Sequence, residues 1–492
     1  MTSHNLSPTM TSHKVYLLFG TLCIASLTSG LTSDLFLSTA ETAVLLESEE
    51  QLLGFVHQCL TQTARRTGNA EYNRLARDLQ SERRSLPQTQ DARHPVDAYV
   101  GLRRFTQYWD KYIATMDPLV ARSVEKSLAQ NRLVYPDSEV LQQARLAIVR
   151  LQAAYNLSAS HLASTATANL TDSDTASLAA EAEGTGFPLV AEGWRMLGTA
   201  YASQGGHAEG ELLNHHRHSE SNQVVHETQT LHRRNAKFFS LCQHFQDIDD
   251  VTALRSEGCV YTRGSIPLNR WKTEVLSRDP YIVLYYDFVT DREADTMVKR
   301  AMVKLTRALT GPTPNDFTLK AHRRLGKIAW LRDNSSSVFE RVSRRAHQVT
   351  GLHTAFRPRA SFGEDFQVVN YGIGGHYIPH HDYFKTKNAF SVAETYLKDS
   401  GDRAATFMIY LGDVSLGGAT VFPDLGVGAP PVKNAALFWY NFNPDGLRDP
   451  RTLHGGCPVI IGQKWVANKW IHEISTAMTK TCRTSPWKPV NT

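Results

Sequence analysis

His380-His381-Asp382 is the place in the chain where residue types and spacing best suggest chemistry. In an extended strand residues i and i+2 point to one face, so His380 and Asp382 can share an ion while His381 points away. The same His-x-acid spacing recurs at His207/Glu209 and His218/Glu220, but only the third case lies among strand-like runs. His454, just before another such run, is the candidate third ligand. Two imidazoles and a carboxylate would make a facial triad, which leaves positions open on Fe(II) for a bidentate 2-oxo acid and then for O2. On spacing alone the competing reading, that these are satisfied or exposed histidines, stays open.

The far carboxylate of 2-oxoglutarate needs a cation deep in the pocket. Lys464 begins the strand-like run after His454 and could supply it. A lone lysine is ordinarily solvated. Here Ile460-Ile461 and Trp465-Val466 flank it, which favours burial.

The elements that must position these groups fall into two textures. Residues 31–160 read as helical, with Leu46, Leu53, Val56 and Leu60 on one stripe. That stripe is either a dimer seam or a core-facing helix face, since too few heptads are present for a coiled coil. Amphipathic stretches follow at Ala98–Met116 and Glu139–Tyr155. Residues 156–190, dominated by Ala, Ser, Thr and Asp, read as a linker or poorly ordered insertion. Leu189–Gln204 reads as one helix of a pair, with Trp194, Leu197 and Tyr201 on one face. The histidines from His207 to His232 show no regular ligand pairing and read as a solvated polar face rather than a metal cluster.

From about residue 246, short runs rich in Val, Ile, Tyr, Trp and Phe alternate with Gly and Pro: Pro280–Phe288, Phe366–Tyr371, Ala404–Leu411, Gly418–Phe422, Ala435–Phe442, Pro458–Ile461 and Lys464–Glu473. So many strands predict a jelly roll, with helices near Asp291–Leu309 and Ser337–Thr350 packed on it. The fold class is therefore α+β, an all-α N-terminal region followed by a C-terminal double-stranded β-helix.

With 41% hydrophobic and 21% charged residues, the chain is globular rather than disordered. A net charge of +5 is too small to argue for a nucleic-acid or membrane-surface partner. The apolar run Val15–Leu27, preceded by Lys14, is shorter than the roughly 20 residues of a membrane span. It reads as the core of a signal peptide over residues 1–30, which implies a secretory route without a membrane anchor. Of six cysteines, Cys23 lies in that segment and Cys59 is left over. Cys242, Cys259, Cys457 and Cys482 allow three connectivities, and sequence alone leaves them open. Sequons at Asn156, Asn169 and Asn334 are usable in that compartment, although the pattern is common by chance.

Four segments, NYGIGGHYIPHHDYF (370–384), RAATFMIYLGDVSLGGATVFP (403–423), AALFWYN (435–441) and HGGCPVIIGQKWVANKWIHE (454–473), resemble the alpha subunits of collagen prolyl 4-hydroxylases. The resemblance is strong over about 280–482 and weaker through HPVDAYVGLRRF (94–105) and residues 133–158. It implies that His380, Asp382 and His454 bind Fe2+, and that Lys464 binds the 2-oxoglutarate C5 carboxylate. It further implies that Tyr371, Thr406 and Tyr410 line that pocket, and that disulfides join Cys242 to Cys259 and Cys457 to Cys482. The implied activity is 4-hydroxylation of X-Pro-Gly prolines in procollagen, with O2 as cosubstrate and L-ascorbate restoring oxidised iron. The implied setting is the endoplasmic reticulum lumen, in an α2β2 tetramer with protein disulfide isomerase.

The implied domains are a helical, dimerising domain at 31–160, a tetratricopeptide-like peptide-binding region at 161–245 and a catalytic domain at 246–492. The middle region looks one helical pair short, and Tyr201 is its only tyrosine between 156 and 260. Trp194 and Tyr201 are its candidate substrate-binding aromatics. Other proline-rich secreted substrates are therefore an alternative, as is a non-catalytic peptide-binding subunit. Lysyl hydroxylases and oxygen-sensing prolyl hydroxylases share the triad but typically carry Arg at the Lys464 position.

Overall fold

A computed structural model of the chain describes residues 39–85, 93–109, 122, 138–203, 235–245, 258–264, 269–308, 323–354, 362–384 and 400–477. The apolar run Val15–Leu27, the histidines from His207 to His232 and Cys482 lie outside the described residues.

The leucine stripe lies on α1 (Thr39–Thr67), which packs with α2 (Ala70–Ser85) and α3 (Pro95–Arg104). Leu46, Leu53, Val56 and Leu60 are all buried in one cluster with Tyr99, Val100, Phe105 and Ile148, so the stripe faces the chain's own core. Gly101 marks the crossing, because a Cβ there would come within 2.8 Å of Leu46 Cδ2. Helix α4 (Ser138–Tyr155) completes this layer.

The stretch expected to be a linker instead forms two helices, α5 (Ala159–Thr165) and α6 (Asp172–Gly184). Its Ser and Thr residues act as N-caps. Ser158 accepts from the His161 amide, and Thr171 forms a reciprocal capping box with Asp174. Its alanines are good helix formers small enough to be buried at contacts, as Ala168, Ala179 and Ala182 are. Helix α7 (Pro188–Ser203) pairs with α6. Trp194 on α7 is fully buried in the helical core and donates from Nε1 to Gln152 Oε1 at 2.7 Å. It is a core residue, which corrects the expectation of a substrate-binding aromatic. Tyr201 is partly buried against the same core.

Helix α8 (Ala236–His244) leads into the sheets. The strands in chain order are β1 (Cys259–Arg263), β2 (Arg270–Arg278), β3 (Tyr281–Tyr285), β4 (Thr306–Arg307), β5 (Arg324–Leu325), β6 (Lys327–Leu331), β7 (Phe366–Tyr371) and β8 (His376–His380). They continue as β9 (Arg403–Tyr410), β10 (Val414–Gly417), β11 (Thr420–Phe422), β12 (Val427–Ala429), β13 (Ala436–Tyr440), β14 (His454–Gly456), β15 (Val459–Gly462) and β16 (Lys464–His472). A nine-stranded sheet has the order β1-β2-β3-β13-β9-β16-β7-β6-β4, and a five-stranded sheet has the order β12-β11-β14-β8-β5. All their ladders are antiparallel.

The larger sheet is covered on both faces, which explains its nearly continuous apolar runs. Along β9, Phe407 and Ile409 join the cluster under α9 (Asp291–Met302) and α10 (Ser337–Thr350), while Met408 and Tyr410 join the cluster between the sheets. Thr290 and Glu293 form a capping box at the start of α9, and Gly351, at φ 70°, closes α10.

The helical and sheet regions meet at β15, which pairs with β10, and against the smaller sheet. Tyr155 Oη donates to Pro458 O at 2.7 Å, and the Gly462 amide donates to Arg93 O at 2.8 Å. Phe238 and Phe245 of the α8 segment lie over Gly455 and Gly428, where a Cβ would come within 2.7 and 2.8 Å of them. This docking carries Cys242 to Cys457, and the two form a disulfide with Cα atoms 5.5 Å apart. The expected pairs Cys242–Cys259 and Cys457–Cys482 are thereby corrected. Among the described residues Cys259, which starts the edge strand β1, is an exposed free thiol, and Cys59 on α1 is also free. Proximity in sequence misleads here because Cys242 lies on α8, which packs on the smaller sheet, whereas Cys259 begins an edge strand of the larger one.

Candidate metal and cosubstrate site

Strand pairing builds the site. Strand β8 ends at His380 and β14 begins at His454, and these two residues sit opposite each other in the antiparallel register. Asp382 follows β8 by two residues and folds back between them. His380 Nε2 lies 3.6 Å from Asp382 Oδ1, and His454 Nε2 lies 3.7 Å from Asp382 Oδ2. All three candidate ligand atoms fall within 4.8 Å of one another. His381 also lines this pocket but is not one of the converging ligand groups, and its Nε2 lies 2.9 Å from Pro450 O.

The hydrogen bonds set the tautomers. His380 Nδ1 lies 2.9 Å from Ile378 O, and His454 Nδ1 lies 3.0 Å from Thr452 O. A carbonyl can only accept, so each Nδ1 carries the proton and each Nε2 lone pair is left for a metal. Burial, and then the neighbouring His454, hold His380 well below the ordinary histidine range, which keeps its ring neutral. Burial alone would raise the Asp382 carboxyl. His454, His380, Arg403 and the Thr406 hydroxyl outweigh it and hold the group at about 2, so it is an anion. Two imidazoles and one carboxylate suit a divalent first-row ion with open positions.

Lys464 opens β16 opposite Tyr371 of β7, and only 2% of it is exposed. Its Nζ donates to Thr420 Oγ1 at 3.0 Å, and among the described residues it makes no ion pair. Burial without a carboxylate partner pushes its pKa down to about 7. One pocket is lined by Lys464, Tyr371, Thr420 and the three candidate ligands, so it holds a metal position and an anion position together.

Two expected pocket residues stand one layer back. The Thr406 hydroxyl donates to Asp382 Oδ2 at 2.7 Å and is not part of the lining. Tyr410 Oη donates to Thr420 Oγ1 at 3.0 Å, behind the residue that meets Lys464. Both point the same way from β9, but Thr420 and Asp382 come between them and the cavity. Trp194 and Tyr201 do not belong to the lining either.

Residue spacing did not single out Arg324, Tyr377, Arg403, Trp439 or Trp470, which complete the pocket wall. The Arg403 guanidinium is paired with Glu364 at 2.5 Å and lies 3.7 Å from the Trp470 ring centroid. Arg324 lies 4.7 Å from the Tyr377 ring centroid. A possible signal was the position of Arg403, Trp439 and Trp470 inside the distinctive segments that also hold the candidate ligands and Lys464.

Residues 38–167 match the family model described as the N-terminal region of the prolyl 4-hydroxylase alpha-subunit. Residues 366–472, which include all three candidate ligands and Lys464, match the 2OG-Fe(II) oxygenase superfamily. Prolyl 4-hydroxylase subunit alpha-3 of Homo sapiens is 40% identical over 249 residues, which cover 50% of this chain and 44% of that one. Prolyl 4-hydroxylase subunit alpha-2 of Caenorhabditis elegans is 42% identical over 213 residues, covering 43% and 38%. These alignments thus span less than half the length of the relatives matched. A solved viral collagen prolyl hydroxylase from Paramecium Bursaria Chlorella virus-1 has 24% identity and a TM-score of 0.29, covering 39% of this chain and 95% of that one.

Proposed function

We propose that this chain is a member of the prolyl 4-hydroxylase alpha-subunit family and acts as a procollagen-proline 4-dioxygenase. It hydroxylates proline at C4 in X-Pro-Gly sequences while 2-oxoglutarate is decarboxylated to succinate. The observation that carries this reading is the single pocket in which His380, Asp382 and His454 converge beside a buried Lys464 that makes no ion pair among the described residues.

Oxidising an unactivated C–H bond is beyond acid–base side chains, and Fe(II) held by His380, Asp382 and His454 supplies that chemistry with O2. Lys464 and Thr420 bind the far carboxylate of 2-oxoglutarate. The cosubstrate's charge compensates a lysine that otherwise has only a neutral partner. Tyr377, Trp470, Arg324 and Arg403 offer aromatic faces and donors at the pocket wall, which suits a polyproline II chain. Hydroxyproline then stabilises a Gly-X-Y triple helix.

The same reading places the chain in the endoplasmic reticulum lumen. Protein disulfide isomerase is its partner in an α2β2 assembly, and L-ascorbate maintains reduced iron. Residues 31–160, 161–245 and 246–492 serve as the dimerising, peptide-binding and catalytic regions. A second reading, hydroxylation of other secreted proline-rich proteins, is favoured by the burial of Trp194, which removes one of the two aromatics available to a helical peptide groove.

The test is co-expression with protein disulfide isomerase, followed by incubation with a (Pro-Pro-Gly)-type peptide, Fe(II), 2-oxoglutarate and ascorbate. Mass spectrometry should find one oxygen added per modified proline and an equal amount of succinate. Succinate formation without peptide oxidation would overturn the collagen-like substrate, and neither product would overturn the enzyme.

A further inference from the structure

Behind Asp382 lies a chain of buried side chains whose hydrogen bonds can run in only one direction. Trp439 on β13 sits directly across from Thr406 on β9, and Asn441 follows just beyond the end of β13. Trp439 Nε1 donates to Asn441 Oδ1 at 2.9 Å. Asn441 Nδ2 donates to Thr406 Oγ1 at 3.0 Å and to Arg403 O at 3.1 Å. The Thr406 hydroxyl lies 2.7 Å from Asp382 Oδ2. Trp439, Asn441 and Thr406 are each no more than 1% exposed, so water does not compete for these bonds.

An indole N–H is only a donor, so it fixes which end of the Asn441 amide is oxygen. The amide nitrogen is then only a donor toward Thr406, and the threonine proton must turn to the carboxylate. Asparagine orientation and hydroxyl rotation are ordinarily free choices, but here both follow from one indole. The Trp439 ring also lies against His454, with centroids 4.6 Å apart and a T-shaped arrangement. One side chain thus touches one candidate ligand directly and reaches another through two hydrogen-bonded neighbours.

We propose that Thr406, Asn441 and Trp439 are positioning residues that hold the Asp382 carboxylate in its metal-binding orientation. The Thr406 bond occupies a lone pair of Oδ2 and stops the carboxylate from rotating. That disfavours two-oxygen chelation and keeps coordination positions open. This inference rests on reading His380, Asp382 and His454 as the metal site.

The test titrates full-length protein, free of metal and cosubstrate, with Co(II), following the ligand-field absorption. Thr406→Val keeps the shape and loses the hydroxyl, and should weaken Co(II) binding by about tenfold or more, as outer-shell losses do. Thr406→Ser should bind close to wild type. Trp439→Phe, which keeps an aromatic ring but loses the N–H together with part of the indole, should fall between them with an altered Co(II) spectrum. Melting of the metal-free proteins checks folding. Wild-type affinity in Thr406→Val, or equal losses in the Val and Ser variants, would overturn the relay. If Thr406→Val does not fold, Trp439→Phe decides, and wild-type affinity and spectrum in it would overturn the relay. A wild-type chain that takes up no Co(II) would instead overturn the metal reading.

Discussion

Trp194 and Trp470 are both nearly or fully buried, and their indole nitrogens separate the two halves of the molecule. In the helical region Trp194 donates to Gln152. Its neighbours are equally provided for: Asp97 accepts from the amides of Thr167 and Ala168 at 3.0 and 2.6 Å, and Glu49 pairs with Arg104 at 2.6 Å. In the sheet region the buried Trp470 Nε1 and Arg324 Nε, both on pocket-lining residues, have no hydrogen-bond partner among the described residues, and the one hydrogen bond of Lys464 among them is to a hydroxyl. A helical-region atom, Arg103 Nε, is also left without a partner among the described residues, so what sets the sheet region apart is that Trp470 Nε1, Arg324 Nε and Lys464 gather around one cavity, as groups arranged for something that enters it would.

The sharpest way to break this comparison is at the candidate ligands. His380→Ala, Asp382→Ala or His454→Ala should each reduce proline hydroxylation below detection, while His381→Ala retains most of it. Equal losses in His380→Ala and His381→Ala would reassign the ligand. Next in size is the lysine. Lys464→Met should raise the KM for 2-oxoglutarate roughly a hundredfold, about 3 kcal/mol, the scale for removing one partner of a buried charge pair. An unchanged KM would place the cosubstrate elsewhere.

The same lysine makes a pH test. In the empty pocket its pKa is about 7, so above that pH it must take up a proton before it can pair with a carboxylate. Affinity for 2-oxoglutarate should be flat below about pH 7 and weaken by up to about tenfold per unit above it, with proton uptake visible by calorimetry in two buffers. Affinity independent of pH up to 9 would contradict a buried cation that is unpaired before binding.

On the structural side, Trp194→Phe should lower thermal stability by about 1–2 kcal/mol through the lost bond to Gln152, without changing the KM for peptide. A raised peptide KM with unchanged stability would return Trp194 to the substrate groove. The smallest effect belongs to the thiols. Cys259→Ser should leave stability within about 0.5 kcal/mol, as expected for an exposed position. Non-reducing peptide mapping should join Cys242 to Cys457, and a Cys242–Cys259 peptide would reverse that correction.

Residue types alone determined much of this protein. The apolar strand runs and the amphipathic α10 are local patterns, because burial on one face or both dictates which side chains recur and at what period, whereas spacing alone left the His380/Asp382/His454 set open. Lys464 was legible because its apolar flanks made solvation improbable. Tertiary structure decided what depends on which elements lie side by side. It brought Cys242 to Cys457 rather than Cys259, since α8 docks on the smaller sheet. It turned the Ala/Ser/Thr stretch into helices, because small residues become contacts only when a partner helix is present. It withdrew Trp194 into the core and set Thr406 behind Asp382 instead of in the pocket. Strand register places Thr406, and packing of helices against distant elements places Cys242, Trp194 and the Ala/Ser/Thr stretch; the local pattern around a residue carries no record of the partner that will lie opposite it.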